Sequence, residues 1–378
     1  MKIAEVIAVF PPFHGGMGYV CFHNARDLAR RGHDVTVFTL DLGHRRCEGD
    51  PADFRIERLR TPLRYGDGGA VPQLASKLRK FDIVHLHYPF FGGAEYVYLA
   101  SRLWGRRYFL TYHMDVYGND ALKRLAIGVY EPLLLKRIIR GASLVTGPGR
   151  EYLKSSKAGG LFEWDKVVET GHGGVDVNRY SPREKDLPLL RKYGLEGKTV
   201  VLFAGNLQPF KGLHLLIDAI ARIGDPALAL LVVGGGYGEE GYRKQAREKG
   251  LEGRVVFAGP QSPEGALPDH FNLGDFLVLP STHSESFGLV ILEAMASGKP
   301  AVVSALPGPS RLVEDGVDGL IVRVGDVGDL LNKIEVLRRD PTRCREMGVR
   351  AREKVVRKYR WETIGENLEK AFRQILAR

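Results

Sequence analysis

The chain alternates short apolar runs with amphipathic stretches from its first residues onward. Lys2 to Phe10 is an apolar run stopped by Pro11 and Pro12, which predicts a buried strand. Tyr19 to Arg31 carries apolar residues at helical spacing and ends at Gly32, and Asp34 to Leu40 returns to alternating Val and Thr. Strand, helix and strand in that order predict a parallel sheet. The pattern continues with strands at Phe54 to Leu59, Asp82 to His87 and Tyr108 to Tyr112, helices at Leu74 to Lys80 and Ala94 to Leu103, and a flexible loop at Gly66 to Val71. Lys123 to Arg140 predicts a long helix with a basic face. Its Leu125, Val129, Leu133, Ile138 and Ile139 are expected in a core, with membrane contact as the alternative.

Short strands at Ser143 to Thr146 and Lys166 to Glu169, followed by His172-Gly-Gly-Val-Asp176-Val-Asn178, close a first domain over residues 1–178. The Pro-containing segment Tyr180 to Pro188 reads as a linker, and the alternation then begins again. Strands are expected at Thr199 to Ala204, Leu228 to Val233, Val255 to Phe257 and Phe276 to Leu279, with helices at Leu213 to Arg222 and Tyr242 to Lys249. Two such alternations without a sequence repeat predict an α/β protein of two Rossmann-like domains facing across a central cleft. The second domain is expected over 179–360. The amphipathic run within 361–378 is expected to pack back on the first domain.

Composition agrees with that plan: 378 residues, 44% apolar and 26% charged, describe a globular chain of two domains and exclude disorder. Cys21, Cys47 and Cys344 are few, odd in number and far apart, which fits a reducing compartment and not a disulfide framework. No apolar run approaches the ~20 residues of a membrane span, and the N-terminus reads as a strand and not as a signal peptide. A cytoplasmic protein is expected.

Charge changes the picture more. The formal net charge of +10 and pI near 9.4 favour an anionic partner: nucleic acid, anionic lipid or a phosphorylated substrate. Most of the surplus lies before Ser181, with clusters at Arg45 and Arg46, Lys77 to Lys80, Arg106 and Arg107, and Lys123 and Arg124. No helix-turn-helix, finger or stacked-aromatic pattern accompanies them, so nucleic acid is not expected. Peripheral contact with an anionic membrane stays open.

The candidate chemistry centres on Ser281 to Pro300, STHSESFGLVILEAMASGKP. Here a loop leaves a buried strand with Glu285 in it, a helix starts near Gly288, and Glu293 lies inside that helix. Unpaired amides at the helix start suit a phosphate, and the two carboxylates suit sugar hydroxyls. Two further loops follow strand ends: Gly205-Asn206-Leu207-Gln208-Pro209-Phe210-Lys211-Gly212, whose lysine can add a point charge to a phosphate site, and Gly234-Gly235-Gly236-Tyr237-Gly238. In the first half, His14-Gly15-Gly16-Met17-Gly18 lets backbone approach a ligand at a helix start, and His113 and Asp115 follow a strand at the sheet's carboxyl edge. His85 and His87 share one face of a strand and suggest metal ligands together with His113, but no nearby carboxylate trio or cysteine completes the set, and no metal is expected.

Together these motifs resemble the family-4 retaining glycosyltransferases of GT-B fold, over nearly the whole chain. The likeness rests on Phe203-Ala-Gly-Asn-Leu with Lys211-Gly212, Val232-Val-Gly-Gly-Gly, Val255-Val-Phe-Ala-Gly, Leu279-Pro-Ser with Glu285-Ser-Phe-Gly-Leu and Glu293-Ala, and Gly316-Val-Asp-Gly-Leu. In the first half it rests on Gly15-Gly16-Met-Gly18, Arg31-Gly-His-Asp-Val, Asp82-Ile-Val-His-Leu-His and the His113 loop. The resemblance implies a metal-independent hexosyltransferase without cofactor, using a nucleoside-diphosphate sugar and an acceptor hydroxyl on a glycan, a lipid-linked compound or a small molecule. It implies that Lys211 binds the diphosphate, Glu285 the transferred sugar, Phe287, Gly288 and Leu289 the phosphate at the helix start, and Glu293 the ribose. His113 would contact the donor sugar, and Gly16 the phosphates. Two departures stand out: Asn206 replaces the family's usual arginine, and His172-Gly-Gly-Val-Asp176 replaces Pro-Asn-Gly-Val-Asp. A sugar-nucleotide epimerase, a phosphorylase-like enzyme and an inactive nucleotide-sugar-binding subunit are the alternatives.

Overall fold

The computed structural model describes residues 1–12, 15–43, 53–118 and 120–378. His14, Arg45, Arg46 and Cys47 lie outside the described residues. The chain forms two compact units, Met1–Gly174 with Trp361–Arg378, and Val175–Arg360.

In the first unit, strands β1 (Lys2–Val6), β2 (Asp34–Leu40) and β3 (Arg55–Leu59) are followed by a two-strand hairpin, β4 (Arg64–Tyr65) and β5 (Gly68–Gly69). Then come β6 (Ile83–Tyr88), β7 (Tyr108–Tyr112) and β8 (Leu144–Thr146). The large sheet is parallel in the order β3-β2-β1-β6-β7-β8. Its central strands are near-continuous apolar runs because helices cover both faces, and every residue of β6 and β7 is buried. The order reverses between β1 and β6, which opens a crevice outside their carboxyl ends. The helix Trp361–Ala377 completes this unit: Trp361 stacks on His23, ring centroids 4.4 Å apart, and Gly365 lies so close to Asp27 that a Cβ there would clash.

The second unit repeats the plan with β9 (Thr199–Ala204), β10 (Leu228–Val233), β11 (Val255–Gly259), β12 (Phe276–Leu279), β13 (Ala301–Ser304) and β14 (Gly319–Val322). The order β11-β10-β9-β12-β13-β14 is again parallel, with its reversal between β9 and β12. The helices Val327–Arg339 and Pro341–Lys358 close the chain before its return to the first unit.

Four local expectations are corrected. The units divide after Gly174 and not after 178, because the Val175 amide donates to the Tyr359 carbonyl at 2.8 Å and Val175, Val177 and Tyr180 belong to the second core. Tyr180 to Pro188 is therefore no free linker: Tyr180 is fully buried and Asp186 caps the helix Leu187–Tyr193. Residues 166–169 contribute only an isolated bridge from Val167 to Val145. The basic helix is continuous as Ala121–Tyr130, a π-helical turn Glu131–Leu135, and Lys136–Gly141, but among the described residues its core positions lie in the second half. Leu125, Val129 and Leu133 are 66%, 52% and 53% exposed, while Leu135, Ile138 and Ile139 are buried. The physical reason is phase: the first three repeat every four residues, whereas the buried set follows i, i+3, i+4 on another face.

Candidate functional site

In the second unit, the exits of β9 and β12 flank the sheet's reversal, and their two loops are pinned together. The Thr282 amide donates to the Phe210 carbonyl at 2.7 Å. Gly212 holds φ +75°, and a Cβ there would sit 2.0 Å from the Pro280 carbonyl oxygen, so only glycine lets the loops meet. Between them the Lys211 ammonium forms an ion pair with the Glu285 carboxylate, which also accepts from the Ser281 hydroxyl at 3.3 Å. Both charged side chains are largely buried. Glu285 is aimed by a strained backbone: Ser284, at φ +57°, is the non-glycine residue with positive φ among the described residues.

Phe287, Gly288 and Leu289 follow directly. Gly288 takes φ +91° as N-cap, no side chain caps the turn, and the helix Leu289–Ala296 starts with its first amides unclaimed by a side-chain cap. Asn206 is exposed on the β9 loop, its carboxamide oxygen filling the place that a Cβ on Gly236 would take. Glu293 lies more than a turn inside the helix, 7% exposed. Burial pushes its carboxyl up to about 7, with a hydrogen bond from Tyr180 pulling the other way. Sequence reading placed Tyr180 in a linker and gave no sign of this partner.

The first unit builds a different cluster. Glu5 on β1 stands opposite His85 on β6 in the strand register. The Glu5 carboxylate faces His85 Nδ1 at 2.9 Å and His87 Nε2 at 2.7 Å. His87 Nδ1 lies 2.8 Å from His113 Nε2, His113 Nδ1 lies 3.2 Å from His172 Nε2, and His85 Nε2 lies 2.7 Å from Thr111. One proton arrangement satisfies the chain: His87 donates to Glu5, His113 to His87 and His172 to His113. Burial raises Glu5, but the charge and hydrogen bond of His85 and the contacts of His87 override it and hold Glu5 at about 2. Burial, then His85, holds His87 down at about 4 despite Glu5, and burial with the neighbouring imidazoles keeps His113 well below the ordinary range.

Glu5, His85 and His87 each place a ligand atom within 4.8 Å of the others, so Glu5 supplies the carboxylate that the sequence did not reveal beside the histidines. The separations of 2.7 and 2.9 Å are hydrogen-bond distances, shorter than the about 3.3 Å between ligands of a tetrahedral zinc. In this geometry the three groups are joined by hydrogen bonds. His113, which donates its amide to the Tyr88 carbonyl at 2.9 Å, is 2% exposed with both ring nitrogens engaged. Asp115 clamps its loop through Tyr112 and Lys157. Gly15 and Gly16 are exposed at the start of the helix Gly16–Arg30, whereas Gly18 packs under the Val9 carbonyl.

Residues 189–354 match the family model of glycosyl transferases group 1, and residues 15–156 match the glycosyl transferase 4-like domain. The chain is 31% identical over 356 residues to the D-inositol 3-phosphate glycosyltransferase of Mycolicibacterium smegmatis, covering 86% of this chain and 80% of the relative. It is 28% identical over 390 residues to the N-acetyl-alpha-D-glucosaminyl L-malate synthase of Bacillus anthracis, covering 100% and 98%. Among solved structures it is similar to Alr3699/HepE of Anabaena in complex with UDP, with a TM-score of 0.79, 24% identity, and 99% and 100% of the two chains covered. The same Anabaena protein in complex with UDP-glucose gives a TM-score of 0.74 at 23% identity, covering 99% and 100%.

Proposed function

The chain belongs to the group 1 glycosyl transferases and is a glycosyltransferase of GT-B fold, and from that premise we propose that it moves a hexose from a nucleoside-diphosphate sugar to an acceptor hydroxyl, with retention and without a metal ion. The observation that supports this best is the Lys211–Glu285 pair, held between two pinned loops at the sheet's reversal and one turn from an uncapped helix start. In this reading Lys211 binds the donor diphosphate, with Asn206 beside it. The amides of Phe287, Gly288 and Leu289 bind the phosphate, Glu285 a hydroxyl of the sugar, and Glu293 the ribose. His113 and Gly16 are assigned the donor sugar and the phosphates; His113 would give up its longer contact, to His172, to reach a hydroxyl.

As the bond from the anomeric carbon to the diphosphate oxygen breaks, negative charge grows on the leaving group. A fixed ammonium and a helix start aimed there stabilise that charge without reorganisation. The acceptor oxygen bonds to the anomeric carbon from the same face, and the departing diphosphate takes its proton. No protein base is required.

The Anabaena protein was solved with UDP and UDP-glucose, which makes UDP-glucose the first donor to try. The two relatives are named for inositol 3-phosphate and for malate. Both are small hydroxyl compounds with anionic groups, and the basic first half suits such an acceptor, free or carried on a lipid phosphate. We place the protein in the cytoplasm, in peripheral contact with an anionic bilayer. The test is incubation with UDP-glucose, with and without inositol 3-phosphate and malate, in the presence of chelator, followed by proton NMR. Release of UDP with an α-configured product supports the reading. A β-configured product overturns retention, loss of turnover in chelator overturns metal independence, and an epimerised donor overturns transfer.

A further inference from the structure

The helix Ala121–Tyr130, with the π turn that follows, leaves a row of large apolar side chains in water. Leu125, Val129 and Leu133 repeat at intervals of four and are each more than half exposed, and Leu134 beside them is 39% exposed. The π-helical turn Glu131–Leu135 adds a residue to its turn and so keeps Leu133 in line with Val129. Such a contiguous exposed stripe is costly in water and marks a contact surface. The hairpin next to it adds Tyr65, 45% exposed, and Leu63 just before the hairpin is 63% exposed. The hairpin reaches the helix through Phe91 and Gly92: the Tyr65 hydroxyl packs over Gly92, and the Phe91 ring lies 4.8 Å from that of Tyr130.

The charges on this segment choose the occupant. Lys123, Arg124, Lys136, Arg137 and Arg140 are all exposed around the stripe, against Asp120 and Glu131. Asp120 is spent on the N-cap and on Lys123, and Glu131 is only partly exposed, burial raising its carboxyl. A second copy laid face to face would bring like charges together. An anionic bilayer meets both features, since apolar side chains enter the acyl boundary while lysine and arginine reach the phosphates.

We propose that the face bearing Leu125, Val129, Leu133 and Leu134 is the surface by which the protein docks on an anionic lipid bilayer. This rests on the reading above that the protein contacts such a bilayer, and it names the residues that do so. It does not require that the transferred sugar or the acceptor be identified.

The experiment is co-sedimentation of the full chain with vesicles of phosphatidylcholine alone and of phosphatidylcholine mixed with an equal part of phosphatidylglycerol, at low and high salt. The Leu125→Asp/Leu133→Asp double variant and the Lys136→Ala/Arg137→Ala double variant are run beside it. Binding to the mixed vesicles is expected, weaker at high salt, with affinity lowered roughly tenfold or more by the aspartates and several-fold by the loss of the two cations. All four positions are exposed, and an unchanged thermal shift with UDP shows each variant folded. Absence of binding at low salt overturns both membrane contact and this surface. Binding that the aspartates leave intact overturns this surface alone, as does sedimentation of the free protein as a dimer that the aspartates dissociate. None of these outcomes depends on the transferase assay.

Discussion

The two sheets share one topology and one kind of crevice, yet they treat buried charge in opposite ways. At the reversal of the first sheet, Glu5, His85, His87, His113 and His172 are all buried, and each successive imidazole donates toward a single carboxylate. At the reversal of the second sheet, a lysine and a glutamate face each other beside uncapped helix amides, on loops that carry a residue of strained backbone. A network whose donors and acceptors satisfy one another holds its rings in place, and a ligand can enter it only by displacing a contact such as that of His113 with His172. A charge pair with neighbouring amides is one that an anionic ligand can enter and rearrange. The same fold therefore supplies a self-satisfied polar cluster in one unit and an ion pair beside uncapped amides in the other.

Removing the centre of the closed network should have the largest effect. Glu5→Ala leaves the inward-facing N–H groups of His85 and His87 without their acceptor in a site where neither residue is exposed. Loss of one partner from such a buried charged set costs about 3–5 kcal/mol. The measurement is chemical denaturation followed by hydrogen exchange on β1 and β6. If unfolding of the first unit shifts by less than about 0.5 kcal/mol, as for a surface substitution, the network is not what holds those strands in register.

At the Lys211–Glu285 pair the effect is expected on rate. Charge-assisted hydrogen bonds contribute about 1.5–3 kcal/mol, and one that strengthens as the leaving group departs corresponds to roughly ten- to a hundredfold or more in turnover. Lys211→Ala should lower kcat by that factor while changing donor affinity less, since Glu285 loses its partner in the free enzyme as well. Single-turnover rates and calorimetry separate the two. Near-normal turnover would mean that another cation stabilises the diphosphate.

How much of this contrast was legible in the sequence depends on which distance carries it. The strands were legible because a parallel strand covered on both faces is a near-continuous apolar run. The Lys211 loop and the Glu285 to Glu293 segment were legible because each motif is contiguous. Their meeting was not, since it depends on Gly212 closing against Pro280. Glu5 was the harder case: a single carboxylate in Lys2 to Phe10 was absorbed into an apolar run, and its partner His85 stands on a neighbouring strand 80 residues away. A charged residue in a strand that must be buried is itself a signal, because it demands a polar partner across the register. The exposure of Leu125, Val129 and Leu133 was invisible because helical spacing shows that a stripe exists, not what covers it.

Lowering the pH should drive the two units in opposite directions. His87, at about 4 when folded, sits below the ordinary histidine value of 6.5, so the unfolded state binds the proton first. The first unit therefore loses stability as pH falls from about 6.5 toward about 4. Glu293, at about 7 when folded against an ordinary 4.5, binds its proton more readily folded. That contribution is complete below 4.5 and lost as pH rises through 7. Hydrogen exchange at pH 7 and pH 5 should show faster opening of β6 and slower opening of the helix Leu289–Ala296. Glu293→Gln should remove the penalty at pH 8, raising the stability of the ligand-free protein by up to about 3 kcal/mol, while weakening donor binding through loss of a charged acceptor for the ribose. Unchanged donor affinity by calorimetry would refute the ribose role.

The smallest effect is expected where the chain departs from its family. Asn206 offers a neutral amide in place of a guanidinium fork, on the same loop as Lys211. Its side chain is exposed and packs over Gly236, where the missing Cβ leaves room for a longer residue to turn outward. Asn206→Arg would then add a second cation near the diphosphate. Because the position is exposed, water and salt screen that charge, and the gain should lie between nothing and about tenfold in turnover, or at most about 1.4 kcal/mol. The gain should shrink as salt is raised, whereas the loss in Lys211→Ala, from a largely buried ammonium, should not. Single-turnover rates of the two variants across a salt series make the comparison directly. A tenfold fall in Asn206→Arg would show that the amide makes a specific contact which arginine cannot reproduce, and the leaving group would then depend on Asn206 as well as on the Lys211 cation.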